Sequence, residues 1–536
     1  MGFQTVRLVL LIASALVAAA CAATTSYKYR TYSEIVDYIL ELETKYPQYT
    51  EVFTVQDKYG LPSRSELQCT RNGSKTACQH YVIKITDEAS LPDPQRPEVF
   101  FSGALHGDER VGPQTAVALA ELLLDHAGRA DGNPWLKRLV QTRTIVIMPT
   151  TNAYGYDQNT REERGYDPNR DFNYDKGTTC FQTMVARAVN EVWRDHLFQL
   201  AITFHGGTRA ISYEWGSTNH ALTSDGEGSE ISPDDRGQWF FGRVMSRYGG
   251  KFQEDSTYYP DGRMNDIVYA VDGGMEDWAY AASWENSYTS PKPIGTCNPS
   301  TYGGYAAAKS AYNNATHRAF NILIETSTSK QPSASSLGDN STLSDSALSD
   351  YLASTKTIGH VPRNVRISLL YIDLVQPYVI WSVSPSTASV RTATTFTWEV
   401  AGSITVDSTQ LVISTQPDLS SATKTTAQSG VTRWYHADLA TSTGTNNKGL
   451  FSAAVTFNTT GVYYVQATAT VDKNWAAQPS TPVPNVKPQT HIVNARTNEQ
   501  WSYSNNGRTV KGKTAWTSPL KLGPFTAAPT RGGWLS

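Results

Sequence analysis

The stretch Val99-Phe-Phe-Ser-Gly-Ala-Leu105 runs directly into His106-Gly-Asp-Glu109, and this junction predicts both the fold class and the place of a functional site. A short run this apolar is typical of a parallel strand that is covered on both faces. In open α/β sheets, ligands bind beyond the carboxyl ends of such strands. The polar residues that follow the run are therefore candidates for chemistry.

Three further apolar runs end on polar residues in the same way: Ile145–Met148 before Asn152, Leu200–Phe204 before His205, and Ile322–Ile324 before Glu325. Segments with helical spacing, such as Gly112–His126 and Met184–Phe198, alternate with these runs. The alternation predicts an α/β fold with a doubly wound, mixed sheet. Residues that are far apart in the chain would then meet along one edge of that sheet.

The length and charge of the chain limit its organisation and its partners. At 536 residues it is too long for one ordinary domain, so two domains are expected. With 39% hydrophobic and 18% charged residues the composition is typical of a globular protein. A formal net charge of −3 argues against nucleic acid as a partner and against a polybasic membrane surface.

The sequence pattern changes character after about Tyr378. Phe396, Trp398 and Val400 alternate with polar residues, and Tyr463–Val471 shows the same period of two. Such alternation, with Ser, Thr and Gly in the turns, predicts a β-sandwich. We therefore predict the following division: a signal peptide over 1–23, an α/β domain over 24–378, a β-sandwich over 379–495 and a polar tail over 496–536.

The N-terminus has the features of a secretion signal. Arg7 precedes the apolar run Leu8–Ala23, and Ala20-Cys21-Ala22 offers a cleavage site with small residues. The run is too short for a comfortable membrane span. Lipid attachment at Cys21 is the alternative for a bacterial source, although Ala18, three residues before Cys21, is a poor residue for such processing. We expect a secreted mature protein without a transmembrane segment.

Four cysteines remain after removal of the signal: Cys69, Cys78, Cys180 and Cys297. An even number in a secreted chain favours disulfides over the alternative, free buried thiols. Because the polar stretch Thr70–Ala77 is typical of a hairpin tip, we expect the pairs 69–78 and 180–297.

Glycosylation sequons are present at four asparagines in polar contexts: Asn72, Asn314, Asn340 and Asn458. They predict a glycoprotein if the host modifies such sites.

His106, Glu109 and His205 are the candidates for metal binding. Catalytic zinc usually has three protein ligands and one position left for water or substrate. His106 and Glu109 are three residues apart where a strand turns into a helix, so both could face one point. The spacing alone is common, and a surface histidine beside an acid is the alternative.

The order of motifs from Tyr29 to Thr326 resembles that of the zinc carboxypeptidases. The similar motifs are the opening Tyr29–Ile35, His106-Gly-Asp-Glu109, Asp167-Pro-Asn169-Arg170, His205-Gly-Gly, the segment from Tyr269 through Gly273-Gly-Met-Glu-Asp-Trp278, and Ile324-Glu325-Thr. The His-Gly-Gly and Gly-Gly-Met-x-Asp-Trp forms resemble the carboxypeptidase N/E branch.

The resemblance implies one Zn²⁺ in the catalytic domain, held by His106, Glu109 and His205. Asp167 would orient His106 and raise its basicity; an ordinary turn acid before a proline is the alternative. Glu325 would act as general base toward the attacking water and pass the proton to the leaving amine. A carboxylate that closes a buried strand has no structural task of its own.

The resemblance also implies how a substrate is held. Arg164 would stabilise the oxyanion, with Arg161 on the same loop as the alternative. Asn169 and Arg170 would bind the terminal carboxylate of the substrate. Tyr269 would close over the bound residue, unless it is an ordinary packed tyrosine.

Glu276 occupies a position that lines the side-chain pocket in the branch with basic specificity. A carboxylate there predicts a preference for C-terminal Lys or Arg, and a solvated or Asp277-paired acid is the alternative. Asp171 departs from the family pattern, which usually has Asn there, and its charge is expected to weaken carboxylate binding. The loop after His205 and the long β domain also depart from that branch.

The function implied is that of a secreted zinc metallocarboxypeptidase acting on peptide or protein C-termini. One alternative is a catalytically silent relative that binds peptides or acts as a scaffold through a β domain whose partner is unknown. Another is a zinc amidase acting on a different free-carboxylate amide, such as a cell-wall peptide. The presence of all four groups (His106, Glu109, His205 and Glu325) argues against the silent relative. Because Tyr29 follows the signal almost directly, we expect secretion in active form, without a prodomain.

Overall fold

A computed structural model of the chain describes the following residues: 24–90, 96–176, 178–196, 198–223, 225–230, 232, 235–282, 294–312, 319–348, 358–375, 378–383, 385, 387–401, 406–415, 423–429, 450–471, 500–505, 508–513 and 521–528. The predicted signal peptide and the sequon at Asn314 lie outside these residues.

Up to residue 375 the described residues form helices and strands that alternate along the chain. The helices are α1 (Tyr32–Lys45), α2 (Val55–Tyr59), α3 (Val111–Gly128), α4 (Pro134–Thr142), α5 (Ala153–Gln158), α6 (Met184–Asp195), α7 (Asp235–Gly249), α8 (Met264–Ile267), α9 (Met275–Ala281), α10 (Asp345–Leu348) and α11 (His360–Leu374). The strands are β1 (Thr50–Thr54), β2 (Gln68–Arg71), β3 (Ser74–Ala77), β4 (Tyr81–Ile85), β5 (Glu98–Ser102), β6 (Thr144–Met148), β7 (Phe198–His205), β8 (Arg209–Tyr213), β9 (Asp261–Arg263) and β10 (Phe320–Thr326).

Eight of these strands form one mixed sheet, in the order β1-β4-β6-β5-β7-β10-β8-β9. The central strands β6, β5, β7 and β10 are parallel to one another, whereas β4 and β8 run antiparallel to their neighbours β6 and β10. The four apolar runs of the sequence are these four central strands. The expectation of an α/β fold with a mixed sheet is therefore confirmed.

The register of the central strands brings distant polar residues together. Glu325 on β10 is paired with His205 on β7, and β5, on the other side of β7, ends shortly before His106. Side chains at the carboxyl ends of parallel neighbours lie about 5 Å apart across the sheet. The site therefore lies at the carboxyl edge of the sheet.

Helices cover the sheet, and the first of them begins with a full capping box. The Thr31 side chain accepts a hydrogen bond from the Glu34 backbone N–H, and the Glu34 carboxylate accepts one from the Thr31 backbone N–H. On the sheet, α11 packs against α3 and α7. No helix among the described residues combines the length and apolar character that a bilayer span requires.

Both predicted disulfides are present. Cys69 is bonded to Cys78 at the base of the hairpin formed by β2 and β3, with Asn72 exposed at its tip. Cys180 is bonded to Cys297, which ties the start of α6 to the segment 294–312. Hydrogen bonds add to this tie: the Arg187 and Asn190 side chains donate to residues of that segment, and the Gln182 side-chain oxygen accepts from the Ser300 hydroxyl.

Beyond residue 377 the elements among the described residues are the strands β11 (Tyr378–Val383), β12 (Thr387–Ser389), β13 (Ala393–Ala401), β14 (Val406–Ser414), β15 (Thr423–Ser429), β16 (Leu450–Thr456), β17 (Gly461–Val471), β18 (Gln500–Asn505), β19 (Arg508–Lys513) and β20 (Lys521–Ala528). They form sheets of three, five and two strands. The sandwich arrangement and the domain boundaries stay predictions. The segment predicted as a polar tail, 496–536, contains β20, which pairs with β17 and β12 in a sheet.

Candidate metal and catalytic site

The three predicted metal ligands form one buried cluster. His106 Nδ1 lies 2.9 Å from Glu109 Oε1, His205 Nδ1 lies 2.9 Å from Glu109 Oε2, and the two Nδ1 atoms are 3.1 Å apart. One ligand atom from each residue lies within 4.8 Å of the others. Each residue is at most 3% exposed.

The donor set of this cluster fits zinc. Two imidazole nitrogens and one carboxylate are the ligands that catalytic zinc takes in other folds, and they leave a fourth position for water or substrate. The two Nδ1 atoms lie 3.1 Å apart and each lies 2.9 Å from a Glu109 oxygen, so the three side chains could all bind one cation. His106, Glu109 and His205 could therefore hold the metal ion.

Charged neighbours favour the ionised forms of the Glu109 and His106 side chains. Burial alone would raise the pKa of Glu109, but the adjacent imidazoles of His106 and His205 hold that pKa well below its usual range. Burial alone would lower the pKa of His106, but the Glu109 and Asp167 carboxylates raise it above its ordinary value. The cluster thus presents an ionised carboxylate, which is the form that binds a cation.

Asp167 supports the first ligand from behind. His106 Nε2 lies 2.9 Å from Asp167 Oδ1, on the ring edge opposite Nδ1. With its proton on Nε2, His106 keeps the Nδ1 lone pair directed into the cluster. Asp167 is therefore not an ordinary turn acid, although it also caps the short 3₁₀ turn Pro168–Arg170.

Arg161, not Arg164, lies beside the cluster, which corrects the choice favoured from the sequence. The Arg161 guanidinium donates to Asp167 Oδ2 at 2.8 and 3.0 Å and lies 3.4 Å from Glu109 Oε1. The side chain of Arg164 is exposed, and its charge acts on Tyr302.

The path of the loop explains this placement. The Arg161 carbonyl accepts hydrogen bonds from Gly107 N–H, at 3.2 Å, and from the Asn152 side chain, at 3.3 Å. A Cβ at Gly107 would lie 2.0 Å from a backbone atom of Gly155, so only glycine allows this close approach. Arg164 follows with φ of 49°, which turns the chain outward.

Glu325 reaches the cluster from the end of β10 with an unused oxygen. It is 6% exposed, and its buried Oε2 has no hydrogen-bond partner among the described residues. Burial raises the pKa of Glu325 to about 7; the nearby His205 opposes this shift and the Glu109 carboxylate adds to it. A carboxylate with such a pKa can both take up and release a proton near neutral pH.

Asn169, Arg170 and Tyr269 lie together next to the cluster. The side-chain oxygen Oδ1 of Asn169 accepts a hydrogen bond from the Met275 backbone N–H at 2.8 Å. The Arg170 guanidinium donates to the Asn169 backbone carbonyl at 2.8 Å. The Arg170 guanidinium stands 5.9 Å from the centre of the Tyr269 ring, which is 49% exposed. This arrangement places Asn169 and Arg170 side by side, with the exposed Tyr269 ring next to the guanidinium.

Asp171 does not face this pair, contrary to the expectation that its charge weakens carboxylate binding. Its oxygens accept hydrogen bonds from the backbone N–H groups of Gln182 and Thr183 and from the Thr183 hydroxyl, all at 2.7–2.8 Å. Burial raises the pKa of Asp171 to about 6, while these bonds oppose the shift. Asp171 therefore anchors the start of α6.

Glu276 is fully buried between the cluster and Asn169. Its Oε2 accepts from the Asn169 amide at 3.3 Å, and its Oε1 lies 3.8 Å from His205 Nε2 without a hydrogen-bond partner among the described residues. The solvated alternative is thereby excluded. The Asp277 carboxylate accepts from the backbone N–H groups of Gly216 and Ser217.

Sequence reasoning missed one supporting acid and one ion pair. Glu163 accepts the N–H groups of Met184 and Val185, so it holds the loop that carries Arg161 against α6. Lys330 pairs with Asp108 at 2.8 Å directly beside the metal ligands. A buried acid inside an otherwise polar loop gives no sequence signal, whereas an Asp inside the His106–Glu109 motif could have been singled out.

Comparison with known proteins agrees with this geometry. Residues 79–291 match the sequence model of the zinc carboxypeptidase family. Residues 79–291 are therefore similar to the zinc carboxypeptidases.

Two human carboxypeptidases match this chain at low sequence identity. Human carboxypeptidase D is 27% identical over 200 residues, which are 35% of this chain and 13% of that protein. The human carboxypeptidase N catalytic chain is 23% identical over 283 residues, which are 45% of this chain and 57% of that protein. The chain thus covers only a small part of carboxypeptidase D and about half of carboxypeptidase N.

Among solved structures, carboxypeptidase A from Helicoverpa armigera is 16% identical with a TM-score of 0.41, over 64% of this chain and 74% of that one.

Proposed function

We propose that the protein is a secreted zinc metallocarboxypeptidase that removes single residues, preferably Lys or Arg, from peptide C-termini. The observation that carries this proposal is the convergence of His106, Glu109 and His205 with the unpartnered Glu325 oxygen at one sheet edge. The alternative of a silent, peptide-binding relative is disfavoured because each of these groups is present in the chain.

The reaction divides among the residues of the site as follows. Zn²⁺ held by the three ligands would act as a Lewis acid on the scissile carbonyl and lower the pKa of water. Glu325 accepts a proton from the attacking water and then donates it to the amine nitrogen as the C–N bond breaks. Arg161 donates hydrogen bonds to the carbonyl oxygen, where negative charge develops. The products are a shortened peptide and one free amino acid.

The pair Asn169 and Arg170 would make the enzyme an exopeptidase. An arginine with its planar fork binds a carboxylate in two-pronged fashion, and an internal peptide bond offers no such group. Tyr269, exposed above Arg170, would cover the bound residue. The free C-terminal carboxylate thus positions the substrate in the site.

Secretion forms part of this proposal. Its support is the signal-like N-terminus together with the two disulfides, which persist in oxidising compartments.

The decisive experiment is an assay of the purified protein on peptides ending in Arg, Lys, Phe or Glu, with products followed by mass. We expect loss of one C-terminal residue, inhibition by a chelator and recovery on adding Zn²⁺. A C-terminally amidated copy of the best peptide is the control, and it should resist cleavage. Binding of peptides without chelator-sensitive cleavage would favour the silent relative, and cleavage of a cell-wall peptide alone would favour the amidase.

Substitution of Glu276 tests the specificity. In Glu276→Gln the amide can keep the bond to Asn169, but the negative charge is lost. We expect kcat/KM for Arg-ending peptides to fall about 10- to 100-fold, because a charge-assisted bond in a dry site is replaced by a neutral one. Phe-ending peptides serve as the internal control and should change little. An equal loss for both peptides would contradict a role of Glu276 in selecting basic residues.

A further inference from the structure

A solvent-accessible ion pair lies beside the metal ligands and has no part in the chemistry described so far. Lys330 Nζ donates to Asp108 Oδ2 at 2.8 Å, and the two side chains are 37% and 23% exposed. Asp108 stands within the His106–Glu109 motif, and its Oδ1 is buried without a hydrogen-bond partner among the described residues. Lys330 follows Glu325 by one short loop.

Backbone contacts fix Lys330 next to the residues that follow His205. Its carbonyl accepts from the Arg110 N–H at 2.8 Å, and its Cα would lie 3.5 Å from a Cβ at Gly206. Its Cγ would lie 4.0 Å from a Cβ at Gly207, whose φ of 136° favours glycine. The pair therefore borders the Gly206–Gly207 side of the cluster, whereas Asn169 and Glu276 border the His205 Nε2 side.

This difference in position decides which part of a peptide could reach the pair. If the terminal residue is held at Asn169, Arg170 and Glu276, the scissile bond lies over the cluster. The part of the peptide before the scissile bond must then extend away from Asn169, Arg170 and Glu276. On the Gly206–Gly207 side, the backbone at Gly207 is exposed and carries no side chain. One of the three ammonium N–H groups of Lys330 is used by Asp108, which leaves two for substrate.

We propose that Lys330, oriented by Asp108, forms a subsite for the two residues that precede the scissile bond and favours peptides with an acidic side chain there. This inference rests on the proposed carboxypeptidase function. The ammonium would bind the Asp or Glu carboxylate through a charge-assisted hydrogen bond. Because the pair is partly exposed, its contribution to specificity is moderate and weakens with salt.

The test compares Arg-ending tetrapeptides that carry Glu, Gln or Lys at either of the two upstream positions. For the unaltered protein we expect kcat/KM for the better Glu peptide to exceed that of its Lys counterpart about 5- to 10-fold, mainly through KM. Lys330→Met keeps the apolar stem and should bring the ratio to about 1. Asp108→Asn removes the competing carboxylate and should raise the ratio.

Ratios measured within one variant do not depend on how much of the protein is active. Lys309→Met is the matched control, because Lys309 is also 37% exposed and paired with a glutamate, Glu191, at 2.6 Å; its ratio should equal that of the unaltered protein. Two results would contradict the subsite but not the carboxypeptidase function. One is chelator-sensitive cleavage with equal kcat/KM for the Glu, Gln and Lys peptides. The other is a Glu-to-Lys ratio of kcat/KM that is unchanged in Lys330→Met. Absence of C-terminal cleavage by the unaltered protein overturns both proposals.

Discussion

Replacing Glu325 by Gln is expected to lower kcat by about 10²- to 10⁴-fold, which is the contribution that a positioned general base typically makes to the rate. The amide has nearly the same shape as the carboxylate, but it cannot accept a proton from water. Because Glu325 Oε2 has no hydrogen-bond partner among the described residues, the substitution removes no contact that stabilises the fold. We expect an unchanged melting temperature, unchanged zinc content and a similar KM.

The matched control for this prediction is Glu191→Gln. Glu191 is 4% exposed and Glu325 is 6% exposed, but Glu191 lies on α6 and binds Tyr305 and Lys309 rather than the cluster. Activity of this variant should remain within about twofold of the unaltered protein, because the partners of Glu191, Tyr305 and Lys309, lie outside the cluster. Glu325→Gln with more than a tenth of the original kcat, at full zinc content, would remove Glu325 from the proton transfer.

The parts of the site that the sequence predicted are those that follow from strand ends. An apolar run fixes where a buried strand stops, and the next polar residue is then at the edge of the sheet. His205 and Glu325 are such residues, and the structure pairs them directly. His106 and Glu109 could be added because a three-residue spacing at a strand-to-helix junction brings two side chains to one face.

The parts that the sequence did not predict depend on where loops travel. Two arginines three positions apart look equivalent in the sequence, and only the hydrogen bonds of Gly107 and Asn152 to the Arg161 carbonyl separate them. Asp171 adjoins Arg170 in sequence, yet its carboxylate turns to the start of α6. Such long-range partners leave no local periodicity, so pattern reasoning cannot find them.

The choice between the two arginines gives the second large effect. Arg161→Ala is expected to lower kcat/KM by about 10²- to 10³-fold, because a preorganised cation at a developing oxyanion is worth roughly 3–4 kcal/mol. Burial alone would lower the pKa of Arg161, but the Asp167 and Glu109 carboxylates together raise it above its ordinary value, so the guanidinium stays charged at any assay pH. Arg164→Ala, on the same loop with an exposed side chain, should keep activity within about twofold.

Arg161 also bridges Asp167 and Glu109, so its removal could act through the metal ligands instead of the transition state. Zinc content separates these routes. If Arg161 stabilises the oxyanion, Arg161→Ala retains stoichiometric zinc and peptide binding while kcat falls, and Arg161→Lys recovers part of the rate because the charge returns without the planar fork. Loss of zinc that fully accounts for the lost activity would make Arg161 a positioning residue for Glu109. A large loss of kcat/KM in Arg164→Ala, together with an active Arg161→Ala, would assign the stabilisation of the oxyanion to Arg164.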